Sequence, residues 1–361
     1  LKILLINPPW QRFFGLTLST PAIAINHIAS YIEKELPQCT IDVYDADQSE
    51  EASFSFDNYR YTFEHSDYVR RLNDLDGPIW HEIRSVIRNF NPDVIGVSAM
   101  TATYVSALNV SKVAKELNPQ VIVVFGGRHP SVLPEDTLRN KTVDYVVVGE
   151  GEMTFRELLA NLENPGDVKG IAYRKSDGSV VRTPPRVHIK DINELPIPVF
   201  ESSINKCDYK NFKNAELYVW YLIGARGCPF ECIYCASDKV VRYRSLEHIM
   251  KEIVYVKKKY GIKQFSFVDD SFSLSRNRAL ELCKYLKDEG VKWRCNTRVD
   301  LVDEEMVSAM KKSGCLSTAV GIETGSPKTM EIIKKNISYD KIVTALDLFG
   351  KYNIPVAGYF M

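Results

Sequence analysis

Short runs rich in Val and Ile alternate with helical patterns through the first 150 residues, and this alternation restricts the chain to few folds. Lys2–Asn7 reads as a buried strand ending at Pro8-Pro9. A helix from about Pro21 to Glu35 follows, with Ile23, Ile25, Ile28, Ala29 and Ile32 on its apolar side. Thr40–Tyr44 is the second strand, and a helix over Pro78–Asn89 leads into the third, Asp93–Ser98. A helix over residues 103–117 precedes the fourth, Val121–Phe125, and Tyr145–Val148 is the fifth. Residues 48–77 are polar, aromatic-rich and without periodicity, so they read as an inserted excursion. Five such strands separated by helices predict a doubly wound parallel sheet, α/β in class and Rossmann-like, over residues 1–165.

In these sheets ligands sit at the carboxyl ends of the strands. Asn7-Pro8-Pro9, Ser98 to Thr101, Gly126-Gly127-Arg128-His129-Pro130 and Gly149-Glu150-Gly151-Glu152 all fall there. Gly126-Gly127 has no Cβ, so it permits either close ligand approach or a tight strand-to-helix turn. His129 alone reads as a hydrogen-bonding histidine rather than a metal ligand. The absence of G-x-G-x-x-G after the first strand disfavours a nicotinamide or flavin site.

Residues 166–212 read as a linker. They contain a small hairpin around Lys175-Ser176-Asp177-Gly178 and a proline-spaced strap at Pro184-Pro185 and Pro196-Ile197-Pro198. Residues 213–361 then resume the alternation. Strands are expected at 217–225, Phe265–Val268, Lys292–Cys295, Ser317–Ile322 and Val356–Phe360, with helices at 245–260, 278–288, 303–313 and within 326–350. This is most of a parallel β/α barrel, with polar clusters at the strand ends: Asp269-Asp270-Ser271, Asn296-Thr297-Arg298 and Glu323-Thr324-Gly325-Ser326. Asp270 and Ser271 read equally well as helix caps. The sequence stops on Phe360-Met361 inside the fifth strand, which is read as truncation before a sixth.

Within the strand-to-helix loop of this second half lie Cys228, Cys232 and Cys235, spaced C-x3-C-x2-C. Three thiolates on one short loop suit a [4Fe–4S] cluster and leave one iron open to a small molecule. A structural zinc would want a fourth ligand, and neither Cys283 nor His248, both in helical patterns, supplies one. The remaining cysteines, Cys39, Cys207, Cys283, Cys295 and Cys315, show no disulfide rhythm, which points to a reducing, cytoplasmic location. With 45% apolar and 25% charged residues the chain can bury large cores. Its formal net charge of zero gives no case for a nucleic-acid partner, and no run approaches the ~20 apolar residues of a membrane span.

The run Cys228 to Cys235, with Tyr234 before the last cysteine, resembles the C-x3-C-x-aromatic-C signature of the radical S-adenosylmethionine (SAM) superfamily. The N-P-P start, the G-G-x-H-P loop and the G-E-G-E turn together resemble the cobalamin-binding domain of B12-dependent radical SAM proteins. That resemblance implies a cluster on Cys228, Cys232 and Cys235 that cleaves SAM to a 5′-deoxyadenosyl radical. It further implies SAM contacts from Tyr234, from Asp269 and Asp270 on strand two, from Arg298 on strand three, which would pair the SAM carboxylate, and from Glu323 in the G-I-E-T-G-S segment. Cobalamin would lie along Ser98, Thr101, Gly126, Gly127, His129, Gly149, Glu150 and Gly151. No D-x-H-x-x-G motif is present, so no histidine would reach cobalt. The expected activity is methyl transfer to an unactivated carbon of a small molecule, with an electron donor such as flavodoxin or ferredoxin. A radical SAM cyclase of the anaerobic porphyrin type, and a non-catalytic corrinoid or Fe–S carrier, are the alternatives.

Overall fold

A computed structural model describes residues 1–14, 22–48, 65–204 and 219–361. The expected insertion at 48–77 lies partly outside these residues, as do the ends of the expected Pro21 helix, the linker and the 217–225 strand. Two compact units divide the chain: residues 1–189 with 195–207, and residues 190–194 with 208–361.

The first unit runs β1 (Lys2–Asn7), α1 (Ile23–Glu35), β2 (Thr40–Asp45), α2 (His65–Asn73), α3 (Pro78–Phe90), β3 (Val94–Ser98) and α4 (Tyr104–Leu117). It continues with β4 (Ile122–Gly126), α5 (Arg128–Val132), α6 (Pro134–Leu138), β5 (Tyr145–Val147), α7 (Gly151–Ala160), β6 (Ile171–Arg174) and β7 (Val180–Arg182). The sheet order is β2-β1-β3-β4-β5-β6-β7, parallel through β5 and antiparallel beyond it. Alternation along β1 explains the two layers. Leu4 and Ile6 join Trp80, Ile83 and Val110 of α3 and α4 in one core, whereas Ile3 and Leu5 join Ile25, Ile32, Phe155 and Leu158 of α1 and α7 in the other. Both faces are therefore covered, as a parallel sheet requires.

Two findings differ from the sequence reading. The hairpin placed in the linker extends the sheet, because β6 pairs with β5 through Tyr145–Tyr173, Val146–Ala172 and Val147–Ile171. Part of the expected excursion is helix α2, whose Leu72 is buried against the α3 side of the sheet. Ser66, Arg70, Arg71 and Asn73 of this helix are exposed, and that polarity hid the short apolar stripe.

The second unit runs β8 (Val219–Leu222), β9 (Ala225–Arg226), β10 (Arg242–Tyr243), α8 (Leu246–Tyr260), β11 (Gln264–Phe267) and α9 (Arg276–Asp288). After these come β12 (Lys292–Thr297), α10 (Glu304–Lys312), β13 (Cys315–Glu323), α11 (Pro327–Ile332), α12 (Tyr339–Lys351) and β14 (Val356–Phe360). Its main sheet is wholly parallel in the order β14-β13-β12-β11-β8, each strand beside its predecessor, as in the wall of a β/α barrel. Helix starts are set by side-chain caps: Ser245 accepts from the His248 N–H and Asp303 from the Met306 N–H. Trp293, Phe265 and Phe267 are fully buried in the sheet. Among the described residues no helix is long and apolar enough to cross a membrane.

Candidate functional site

The strand order of the first unit reverses between β1 and β3, and beside that point the loops at the carboxyl ends of β3, β4 and β5 are knitted together. Ala99 N–H donates to Gly126 O at 2.8 Å, and His129 N–H donates to Ala99 O at 3.3 Å. Ser131 Oγ donates to Gly127 O at 2.7 Å and accepts from Gly149 N–H at 3.0 Å. The loops carrying Ser98 to Thr101, Gly126 to His129, and Gly149 to Gly151 thus form one edge. Ser131 is a member of that edge with no motif to announce it.

Gly127 has φ 101°, and a Cβ would stand 2.6 Å from Ala99 O. The glycine is demanded by the protein's own loop packing, which is the tight-turn reading of the pair. Gly126 is the position facing open space, with nothing within 4 Å of an added Cβ. His129 packs against Tyr104 with ring centroids 3.9 Å apart and planes tilted by 32°, and its Nδ1 lies 3.2 Å from Thr101 Oγ1. Its Nε2 is buried without a hydrogen-bond partner among the described residues. Glu150 turns toward the strap, where its Oε2 accepts the Ile189 N–H at 2.9 Å.

In the second unit the three cysteines occupy the loop between β9 and β10. Cys228 N–H donates to Asp238 O at 2.7 Å and Cys235 N–H to Cys232 O at 3.1 Å. The two aspartates after β11 brace this loop and the segment that leads into β9. Asp269 accepts Gly224 N–H at 2.6 Å, and burial pushes its carboxyl up to about 6. Asp270 accepts Ser237 Oγ–H at 2.7 Å. The Asp270 side chain is therefore occupied by the cysteine loop and that of Asp269 by the backbone just before β9, leaving their own backbone for any ligand.

Behind the loop, Tyr234 O–H donates to Glu323 Oε1 at 2.9 Å. Lys335 Nζ donates to the same oxygen at 2.6 Å and lies 3.3 Å from the Tyr234 hydroxyl. Burial, and then the Glu323 carboxylate, push the Tyr234 phenol well above its ordinary value. Glu323 ends β13 with a left-handed φ of 64°, a conformation that costs a non-glycine residue about 1–3 kcal/mol and turns its side chain inward. A Cβ on Gly321 would collide with both Glu323 Oε1 and Lys335 Nζ, so that glycine makes room for the ion pair. Sequence reasoning missed Lys335, a lysine in a Lys-Lys-Asn run with no spacing signal.

Arg298 is 7% exposed. It gives both arms of its fork to Asp300 at 3.0 Å and donates to Lys335 O at 3.1 Å. Its guanidinium lies 3.6 Å above the Phe230 ring, and Nη1 points at Cys232 Sγ, 3.8 Å away. Among the described residues no three His, Cys, Asp or Glu side chains are gathered into a metal-holding group. By donor chemistry, however, three sulfurs on one irregular eight-residue stretch beside a fixed N–H donor fit a thiolate-held cluster.

A B12-binding domain model matches residues 16–159, and a radical SAM superfamily model matches residues 222–361. The chain is 32% identical over 373 residues to an uncharacterized methyltransferase of Pyrococcus horikoshii, covering 100% of this chain and 74% of that protein. It is 27% identical over 294 residues to the anaerobic magnesium-protoporphyrin IX monomethyl ester cyclase of Rubrivivax gelatinosus, covering 78% of this chain and 52% of the cyclase. Among solved structures, the radical SAM methyltransferase TsrM from Kitasatospora setae, with tryptophan and a SAM analogue, superposes with a TM-score of 0.74. That pair shares 16% identity over 99% of this chain and 67% of TsrM, a likeness of fold. The first unit, with its edge of knitted strand-end loops, thus carries a B12-binding domain, and the second, with the cysteine loop, a radical SAM domain. The chain belongs to the B12-binding radical SAM family.

Proposed function

We propose that this protein is a cobalamin-dependent methyltransferase that uses SAM and a [4Fe–4S] cluster to methylate an unactivated carbon of a small molecule. The observation that carries the reading is the cysteine loop backed by the Tyr234–Glu323–Lys335 cluster. When bound, the cluster supplies the electron that splits SAM, and cobalamin carries the methyl group.

Cys228, Cys232 and Cys235 would hold the cluster. Both protein donors to Glu323 converge on Oε1. Its other carboxylate oxygen is thereby kept for a ribose hydroxyl, a short charge-assisted hydrogen bond that fixes orientation. Tyr234 would lie against the adenine, and the backbone at Asp269 and Asp270 would meet the SAM amino group. Ser98, Thr101, Gly126, Gly127, His129, Gly149 and Gly151 would line the cobalamin edge, with Glu150 holding the strap beside it. His129, packed on Tyr104 and bonded to Thr101, would serve the corrin or its tail rather than cobalt. An external reductant of the flavodoxin or ferredoxin class would deliver the electron.

The likeness to the cyclase favours a second reading, in which no methyl is transferred. Turnover separates the two. A methyltransferase of this design yields 5′-deoxyadenosine and S-adenosylhomocysteine in comparable amounts, whereas a cyclase yields the nucleoside alone. Reconstituted protein that forms neither product under dithionite with candidate substrates and SAM, while holding about four irons, would leave only the carrier reading.

A further inference from the structure

We infer that Arg298 is a fixed hydrogen-bond donor to the sulfur of Cys232, and that it sets the reduction potential of the cluster that sulfur would hold. This rests on the cluster reading above and departs from the expectation that Arg298 clamps the SAM carboxylate. A carboxylate clamp needs a free fork, because bidentate pairing uses two parallel N–H groups. Here that fork is already closed on Asp300, with Nε and Nη2 each 3.0 Å from a carboxylate oxygen. Nη2 also serves Lys335 O at 3.1 Å, and the flat face of the guanidinium is packed 3.6 Å from the Phe230 ring centroid. The remaining edge, Nη1, faces Cys232 Sγ at 3.8 Å.

Four contacts from four directions hold the group in one place, with 7% of the residue exposed. A donor so fixed suffers little reorganisation when charge changes beside it. Hydrogen bonds to cluster sulfurs and nearby positive charge stabilise the reduced form and raise the potential. Asp300 opposes this. Its carboxylate offsets the guanidinium charge while orienting it, so the pair acts as a graded positive end rather than a full cation.

The experiment is a dithionite titration of the anaerobically reconstituted protein without SAM, followed by electron paramagnetic resonance. Arg298→Met should make the cluster potential more negative, and Asp300→Asn should make it more positive. Opposite shifts are the signature, since a merely structural loosening would move both variants the same way. Should Arg298→Met assemble no cluster, Asp300→Asn decides alone: it keeps the arginine, and an unmoved potential overturns the inference. Unmoved potentials in both variants, with SAM affinity lost in Arg298→Met, would return Arg298 to the carboxylate. Wild-type protein that assembles no cluster removes the underlying reading as well, whereas a wild-type cluster with unresponsive variants removes this one alone.

Discussion

Neighbouring glycines that look equivalent in sequence have opposite jobs. Gly127→Ala forces a Cβ toward Ala99 O from a left-handed backbone, so it should destabilise the first unit by about 1–3 kcal/mol whether or not ligand is present. Chemical denaturation without cobalamin measures that. Gly126→Leu adds a side chain into open space and should leave unfolding unchanged while weakening hydroxocobalamin binding at least tenfold. Equal cobalamin affinity in Gly126→Leu and wild type would remove Gly126 from the binding edge. Among the cysteines, alanine at 228, 232 or 235 should abolish iron loading. Cys283→Ala should not, because Cys283 is buried in α9, where desolvation raises its thiol to about 12. Iron counts on the four variants settle the matter. The cysteine loop, the glycine pair and Glu323 were legible because motif residues sit at strand ends. Lys335, Asp300 and Ser131 were not, since their partners are 12, 2 and 18 residues away with no periodic relation.

Elements were legible wherever their pattern served the core. Leu246–Tyr260 was readable as α8 from Ile249, Ile253 and Val256, all fully buried. Sequence alone gave no sign of the charge that α8 also buries. Glu252 is 0% exposed, accepts Trp220 Nε1–H at 2.7 Å and pairs with Arg244 at 2.7 Å. A buried pair adds little over a hydrophobic substitute, yet removing one partner leaves a charge without compensation. Arg244→Met should cost about 3–5 kcal/mol in denaturant unfolding, and adding Glu252→Gln should recover much of it. Additive losses in the double variant would mean the pair is not coupled. Helix α2 and the β6–β7 hairpin show the converse limit: a short stripe with polar flanks, and an edge whose pairing partner is set by tertiary structure, carry weak local signals.

At the scale of the molecule, each unit buries a carboxyl group that holds its proton more tightly than an exposed one. Asp45, at the end of β2, is raised to about 7, and Asp269 to about 6, both chiefly by desolvation. A native carboxyl with a raised value binds its proton more tightly than the unfolded chain does. Its contribution is full below the unfolded value near 3.8 and is lost as pH climbs toward 7 or 6. Replacing Asp45 with Asn fixes the neutral form, so Asp45→Asn should gain stability relative to wild type between pH 5 and pH 8. A constant difference across that range in paired unfolding curves would contradict the assignment. Timing supplies a further consequence. Ile233 N–H is held by Ile333 O, Tyr234 meets Lys335 and Cys232 meets Arg298, partners that lie 66 to 101 positions later along the chain. A ribosome adding about 5–20 residues per second needs on the order of 3–20 s to cover such a gap. Throughout that interval the cysteine loop lacks its backing, so metal delivery that begins before residue 335 has emerged would meet three thiols on an unbraced tether.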